Sequence, residues 1–126
     1  MIDIERNLED IRKRIIRACD RVGRNPTEVK LLAVSKTQLP ERVMALAELG
    51  VRLFGENRVQ EAKAKIPFCA SYLEWHMIGH LQTNKVKEAV KFFKMIQSID
   101  SLKLLMCLDN ACEKAGITMP VLLEVN

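Results

Sequence analysis

Apolar residues recur in the N-terminal segment at alternating steps of four and three: Ile4, Leu8, Ile11, Ile15, Ala18 and Val22. That spacing returns each of them to one stripe of a helix. Asp3 fits its N-cap and Gly23 its stop. Past the turn residues Asn25 and Pro26, the run VKLLAVS, Val29 to Ser35, has the length and composition of a buried strand. Pro40 then suits the first turn of a helix that carries Val43, Leu46 and Ala47 inward and ends at Gly50.

The same strand-then-helix phrase repeats. Val51 to Phe54 reads as a second strand, followed by a turn at Gly55-Glu56 and a helix from Asn57 to Ile66 that Pro67 stops. Leu73 to Ile78 reads as a third, with Gly79 as its exit and Thr83 as the cap of a helix carrying Val86, Ala89, Val90 and Phe93. Lys94 to Ile99 is the fourth, and Asp100 or Ser101 caps a helix through Leu105, Cys112 and Ala115 to Gly116. Pro120 introduces a fifth, VLLEVN. Strands that alternate with helices imply parallel pairing through right-handed crossovers, hence the α/β class. At 126 residues the chain is about half the roughly 250 residues of a closed (β/α)8 barrel. Length alone therefore favours an open, doubly wound sheet of five strands.

Charge changes this picture little. Twenty Lys and Arg against sixteen Asp and Glu leave +4, and aromatics are 5% of the chain, so the stacking partners of a nucleic-acid platform are scarce. The densest basic stretch, Arg12, Lys13, Arg14, Arg17 and Arg21, falls on the first helix and reads as a solvated face. No apolar run approaches the roughly 18 residues of a membrane span. The opening MIDIERNLED is charged and lacks the apolar core of a signal peptide, so a cytoplasmic location is expected. Cys19, Cys69, Cys107 and Cys112 form no CxxC pair and are expected to be free, mostly buried thiols.

Several chemistries lack their motifs: there is no GxGxxG, no Walker A sequence and no GxSxG elbow. His76 and His80 are four apart, which on a helix would suit a metal, but WHMIG reads as extended chain. Four extended residues span about 13 Å, too far for one ion. Lys36 stands out instead. It follows Leu32 and Val34 at period two, so an amine replaces an aliphatic side chain where the strand reaches its C-terminal end. Parallel α/β folds bind ligands at that end, and a neutral lysine amine there can attack an aldehyde. The bland alternative is a lysine reaching solvent. Other exits are polar too: Gly55, Glu56 and Asn57 of FGEN, the segment IGHLQTNK, and Gln97 with Ser98. They either converge on one site or merely make turns and caps.

The ordered set LLAVSKTQ, LFGENRVQE, EWHMIGHLQTNK and MIQSIDS resembles the pyridoxal phosphate homeostasis protein family, the proline synthase co-transcribed type, related in fold to the alanine racemase N-terminal barrel. The resemblance covers essentially the whole chain. It implies that residues 1–126 are a partial domain, the N-terminal portion of a (β/α)8 TIM-type barrel: about five parallel strands alternating with helices, preceded by a helix. It further implies pyridoxal 5'-phosphate held as a Schiff base on Lys36, with Val34, Asn57 and His80 as pocket neighbours. The family is associated with vitamin B6 and amino-acid homeostasis without established turnover, so a non-enzymatic role is expected. Its members continue through further βα units that carry the Ser- and Gly-rich phosphate loop, so cofactor binding by this chain alone is expected to be impaired. The expected partners are the cofactor and either a second copy or a separate C-terminal half chain, with no nucleic acid and no membrane. The alternatives are a fold-type III enzyme such as an amino-acid racemase, for which Tyr72 lies at the wrong end of the third strand, and a cofactor-free binding module.

Overall fold

The structure, a computed structural model, describes residues 3–126. Met1 and Ile2, at the head of the segment read for a signal core, lie outside the described residues. Helix α1 spans Ile4–Val22; Asp3 caps it by accepting from the Arg6 N–H at 3.0 Å, and Gly23 closes it at φ 67°, the left-handed conformation glycine adopts without cost. The anticipated apolar stripe is only partly used. Leu8 and Cys19 are buried, whereas Ile11 and Val22 are exposed. The buried line runs through Cys19 in place of Ala18, and the Arg12 guanidinium beside it donates to the Leu49 carbonyl at 3.1 Å.

The units then follow in order: β1 Ala33–Val34, α2 Pro40–Glu48, β2 Leu53–Glu56, α3 Val59–Lys65, β3 Glu74–Met77, α4 Val86–Phe92, β4 Met95–Ile99, α5 Leu102–Ala115 and β5 Val121–Leu123. Short 3-10 turns at Pro26–Glu28, Ile66–Phe68 and Thr83–Lys85 join them. Of the run expected to be a strand from Val29 to Ser35, only Ala33–Val34 forms β1, paired with β2, and Ser35 N–H continues the bonding onto Gly55. Neither Asn57 nor Thr83 caps a helix. Arg58 occupies the N-cap of α3 without a side-chain bond, and Thr83 begins the turn that leads into α4. Of the two candidates before α5, Ser101 is the cap, its hydroxyl accepting from Leu104 N–H at 3.1 Å.

Strand order decides between the two architectures. The five strands lie β1-β2-β3-β4-β5, all parallel. A doubly wound sheet reverses its order at a switch point, and this one never does. Right-handed crossovers that always step the same way place every helix on the same face, as in a barrel wall. The fold is therefore an arc of a (β/α)8 barrel, and the doubly wound sheet that length favours is not formed.

Register then sorts the side chains. Ala33 pairs with Phe54, and Phe54 with Trp75, whose ring centroid is 5.4 Å from that of Phe54. Phe54, Trp75, Met77 and Ile96 are buried on the helix-covered face with Val43, Ala62, Ala89 and Leu104. The alternate row, Val34, Gly55, His76 and Met95, takes the other face. Gly55 has no side chain, and Leu32 and Ile78 fold over it: a Cβ there would lie 2.6 Å from Leu32 Cδ2 and 3.0 Å from Ile78 Cδ1. No helix among the described residues is long and apolar enough to cross a membrane.

Candidate functional site

The C-terminal strand ends hold the polar groups, and Lys36 comes first. Past β1, Ser35 N–H extends the ladder by donating to the Gly55 carbonyl at 3.0 Å, and Gln38 N–H then closes a turn on the Ser35 carbonyl at 3.0 Å. Lys36 and Thr37 are its central residues. Thr37 sits at φ 64°, a conformation that β-branched residues rarely adopt. Lys36 is exposed and makes no ion pair among the described residues.

Beneath this turn lies a buried ionic cluster. Lys65, 5% exposed, donates to Glu56 Oε2 at 2.8 Å, to Glu61 Oε2 at 3.0 Å and to the Ser35 carbonyl at 2.6 Å. Ser35 Oγ donates to Glu56 Oε2, and Thr37 N–H donates to Glu61 Oε2 at 2.7 Å. Burial pushes the Glu56 carboxyl above its usual range, against the pull of its bonds from Lys65 and Ser35. Burial also works against charge on Glu61, but the bonds from Lys65 and Thr37 outweigh it and hold that carboxyl low. For Lys65, burial is outweighed by the two carboxylates, which hold its ammonium above the usual lysine range. Glu56 Oε1 is buried without a partner.

This cluster corrects the placement of Glu56. Grouped in the sequence with the polar strand exits that converge on one site or make turns and caps, it does neither: alternation turns it to the helix side, where it is wholly buried. Lys65 and Glu61 were not anticipated at all, although they stand four apart on a helix and hence on one face.

Asn57 and His80 are brought together. Both line a cleft of about 490 Å³ with Arg58, Gln82 and Lys85. The chain is tight behind it, since a Cβ on Gly79 would stand 2.5 Å from the Asn57 carbonyl oxygen and 2.8 Å from Asn57 Cα. His80 Nδ1 lies 3.1 Å from Asp100 Oδ2. Val34, about half exposed, borders a separate cleft of about 220 Å³ with Gln38 and Arg42, and Lys36 lines neither.

The remaining polar exits hold structure. Ser98 Oγ donates to the Gly79 carbonyl at 2.6 Å. Gln97 Nε2 donates to His76 Nδ1 at 2.9 Å, which leaves His76 Nε2–H to donate to Glu74 Oε2 at 2.8 Å. The two histidines thus have different partners. No group of three or more His, Cys, Asp or Glu side chains among the described residues could hold a metal ion. Tyr72 precedes β3 at its N-terminal end, stacked with Arg52 at 4.6 Å, away from the strand exits.

A singly wound βα arc with an exposed amine at the C-terminal end of its first strand has the layout of a (β/α)8-barrel ligand site. The chain resembles the pyridoxal phosphate homeostasis proteins, and its fold is of the alanine racemase N-terminal barrel type. It is 39% identical over its full length to the pyridoxal phosphate homeostasis protein of Vibrio cholerae, covering 56% of that protein. With that of Aquifex aeolicus it is 41% identical over 94% of its length, covering 53% of the relative. The structure of PipY from Synechococcus elongatus with pyridoxal phosphate bound superposes on 89% of this chain and 54% of PipY, with a TM-score of 0.78 at 37% identity. The chain therefore spans just over half the length of these relatives. No protein-family model matches it.

Proposed function

We propose that residues 1–126 form a partial barrel domain of a pyridoxal 5'-phosphate-binding protein of vitamin B6 and amino-acid homeostasis, with the cofactor held as a Schiff base on Lys36. The observation that carries this reading is the place of Lys36 on an ordered turn at the C-terminal end of β1, in a fold that superposes on PipY with pyridoxal phosphate bound. The residues present suit the group. Pyridoxal phosphate supplies an aldehyde, whose carbon takes the amine nitrogen while water leaves. Lys36 provides the nucleophile, Val34 an apolar neighbour on the same strand, and Asn57 and His80 polar groups at the next two exits. Because the chain spans just over half of its relatives, its own affinity for the cofactor is expected to be lower than theirs. Holding the cofactor, without turnover of a substrate, is the role proposed. Four free cysteines suit a reducing cytoplasm.

The open face of the arc and the β1 and β5 edges support association, either with a second copy or with a separate chain that supplies further βα units. The test of the cofactor reading is chemical. Borohydride reduction in the presence of pyridoxal phosphate is expected to leave a stable mass adduct on the Lys36 peptide, and Lys36→Ala to lose it. Labelling spread evenly over the exposed lysines, with no preference for Lys36, would refute the assignment.

A further inference from the structure

We infer that the buried Glu56–Glu61–Lys65 cluster is a positioning device for Lys36: it grips the backbone on both sides of that residue and so fixes the root from which the amine projects. The inference rests on the reading of Lys36 as the cofactor-bearing residue.

Three observations carry it. First, the bonds are distributed around Lys36 and leave it free. Lys65 Nζ holds the Ser35 carbonyl at 2.6 Å on one side, and Glu61 Oε2 holds Thr37 N–H at 2.7 Å on the other. Glu56 adds a bond from the Ser35 hydroxyl. Lys36 itself has no ion pair among the described residues, so no charged partner there directs its amine. Second, the turn is held in a conformation it would otherwise leave. Thr37 at φ 64° is strained, and the Glu61 carboxylate accepts from the very N–H that this conformation presents. Third, charge is a poor means of stapling a helix to a sheet. Glu56 is fully buried and Lys65 is 5% exposed, and apolar side chains of similar volume would serve stability at least as well. What apolar residues would not provide is the directional bonds to Ser35 and Thr37. Fixing the backbone narrows the volume searched by a long, flexible amine, which is how orientation accelerates a bimolecular attack.

The measurement uses the 126-residue chain and pyridoxal phosphate alone. Two quantities are read: the rate of borohydride-trapped labelling at Lys36, with the other lysines as internal controls, and amide hydrogen exchange at Thr37. Glu61 is partly exposed, so Glu61→Ala is expected to fold. It should speed exchange at Thr37 and slow labelling at Lys36 on the order of tenfold, with the other lysines unchanged. Glu61→Gln, whose carbonyl still accepts from Thr37, should recover most of the rate. If Glu61→Ala fails to fold, Glu61→Asp takes its place, since it keeps the charge but is a methylene too short to reach Thr37. Unchanged labelling at Lys36 overturns the inference whether or not exchange rises, because a cluster that only staples α3 would behave that way. Slowing of every lysine alike also overturns it. A wild-type chain that takes no label at Lys36 brings down the proposed function together with the inference. Wild-type labelling that ignores Glu61 brings down the inference alone.

Discussion

Lys65 gives bonds to two carboxylates and a carbonyl, and the three titrating members of that cluster respond to pH with different signs. Glu61 binds its proton less tightly folded than unfolded. Its contribution is complete above the ordinary glutamate pKa of about 4.3 and drains away as pH falls through its lower folded value. Glu56 does the reverse: raised by burial, it takes up a proton in the folded chain first, which favours the folded state as pH falls toward about 4.3. Lys65, held high, contributes fully below about pH 10.4 and loses its contribution as pH rises through its folded value. Thermal unfolding followed from pH 7 downward should therefore show a loss below about pH 4.3 that is shallower in Glu61→Gln. Parallel profiles for the two proteins would remove Glu61 from the acid response. Lys36 draws attention in the sequence because a residue type changes at the end of an apolar run. The cluster was not, because a Glu–Lys pair four apart on a helix is ordinarily a solvated surface feature, and nothing local says that this one faces the sheet.

At the scale of elements, the strand exits are set by backbone contact as much as by side chains. Gly79 packs on Asn57 so closely that a methyl group there would meet backbone atoms at 2.5 and 2.8 Å. Gly79→Ala should cost about 1–3 kcal/mol in urea unfolding and shift the amide resonances of Asn57 and His80. Gly55→Ala should be milder, since the atoms it meets are the ends of the Leu32 and Ile78 side chains. Equal effects of the two would contradict this account of the packing. The order and type of every unit were readable from periodicity, and Asp3, Gly23, Ser101 and Gly116 mark helix ends as their residue types suggest. The expected caps Asn57 and Thr83 were misplaced for one reason: each stands where the chain is still leaving a strand or running through a 3-10 turn.

For the whole molecule, topology settled what length could not. An arc and a doubly wound sheet require the same alternation of elements, and only the order of strands in the sheet separates them. Family motifs pointed to the arc, but the residues by themselves left both open. The arc leaves Val34, Leu122 and Leu123 exposed near its two edges. Light scattering of the purified chain is expected to give a mass above 14.4 kDa that grows with concentration. A constant mass of one chain would exclude self-association.

The sequential strand order also shapes how such a chain holds together. Paired positions in neighbouring strands are separated by 19 to 25 residues, as between His76 and Met95 or Ile96 and Val121, so each unit leans on the ones beside it in the manner of a repeat array. Cooperativity in such an array passes from neighbour to neighbour, and the terminal members have support from one side only. Among the described residues β1 pairs with β2 alone, through a ladder of two residues, and Lys36 follows it. The bonds that α3 sends back to Ser35 and Thr37 therefore act as a brace on the first rung: they tie the turn after β1 to the unit that follows it, from a direction the sheet ladder does not supply.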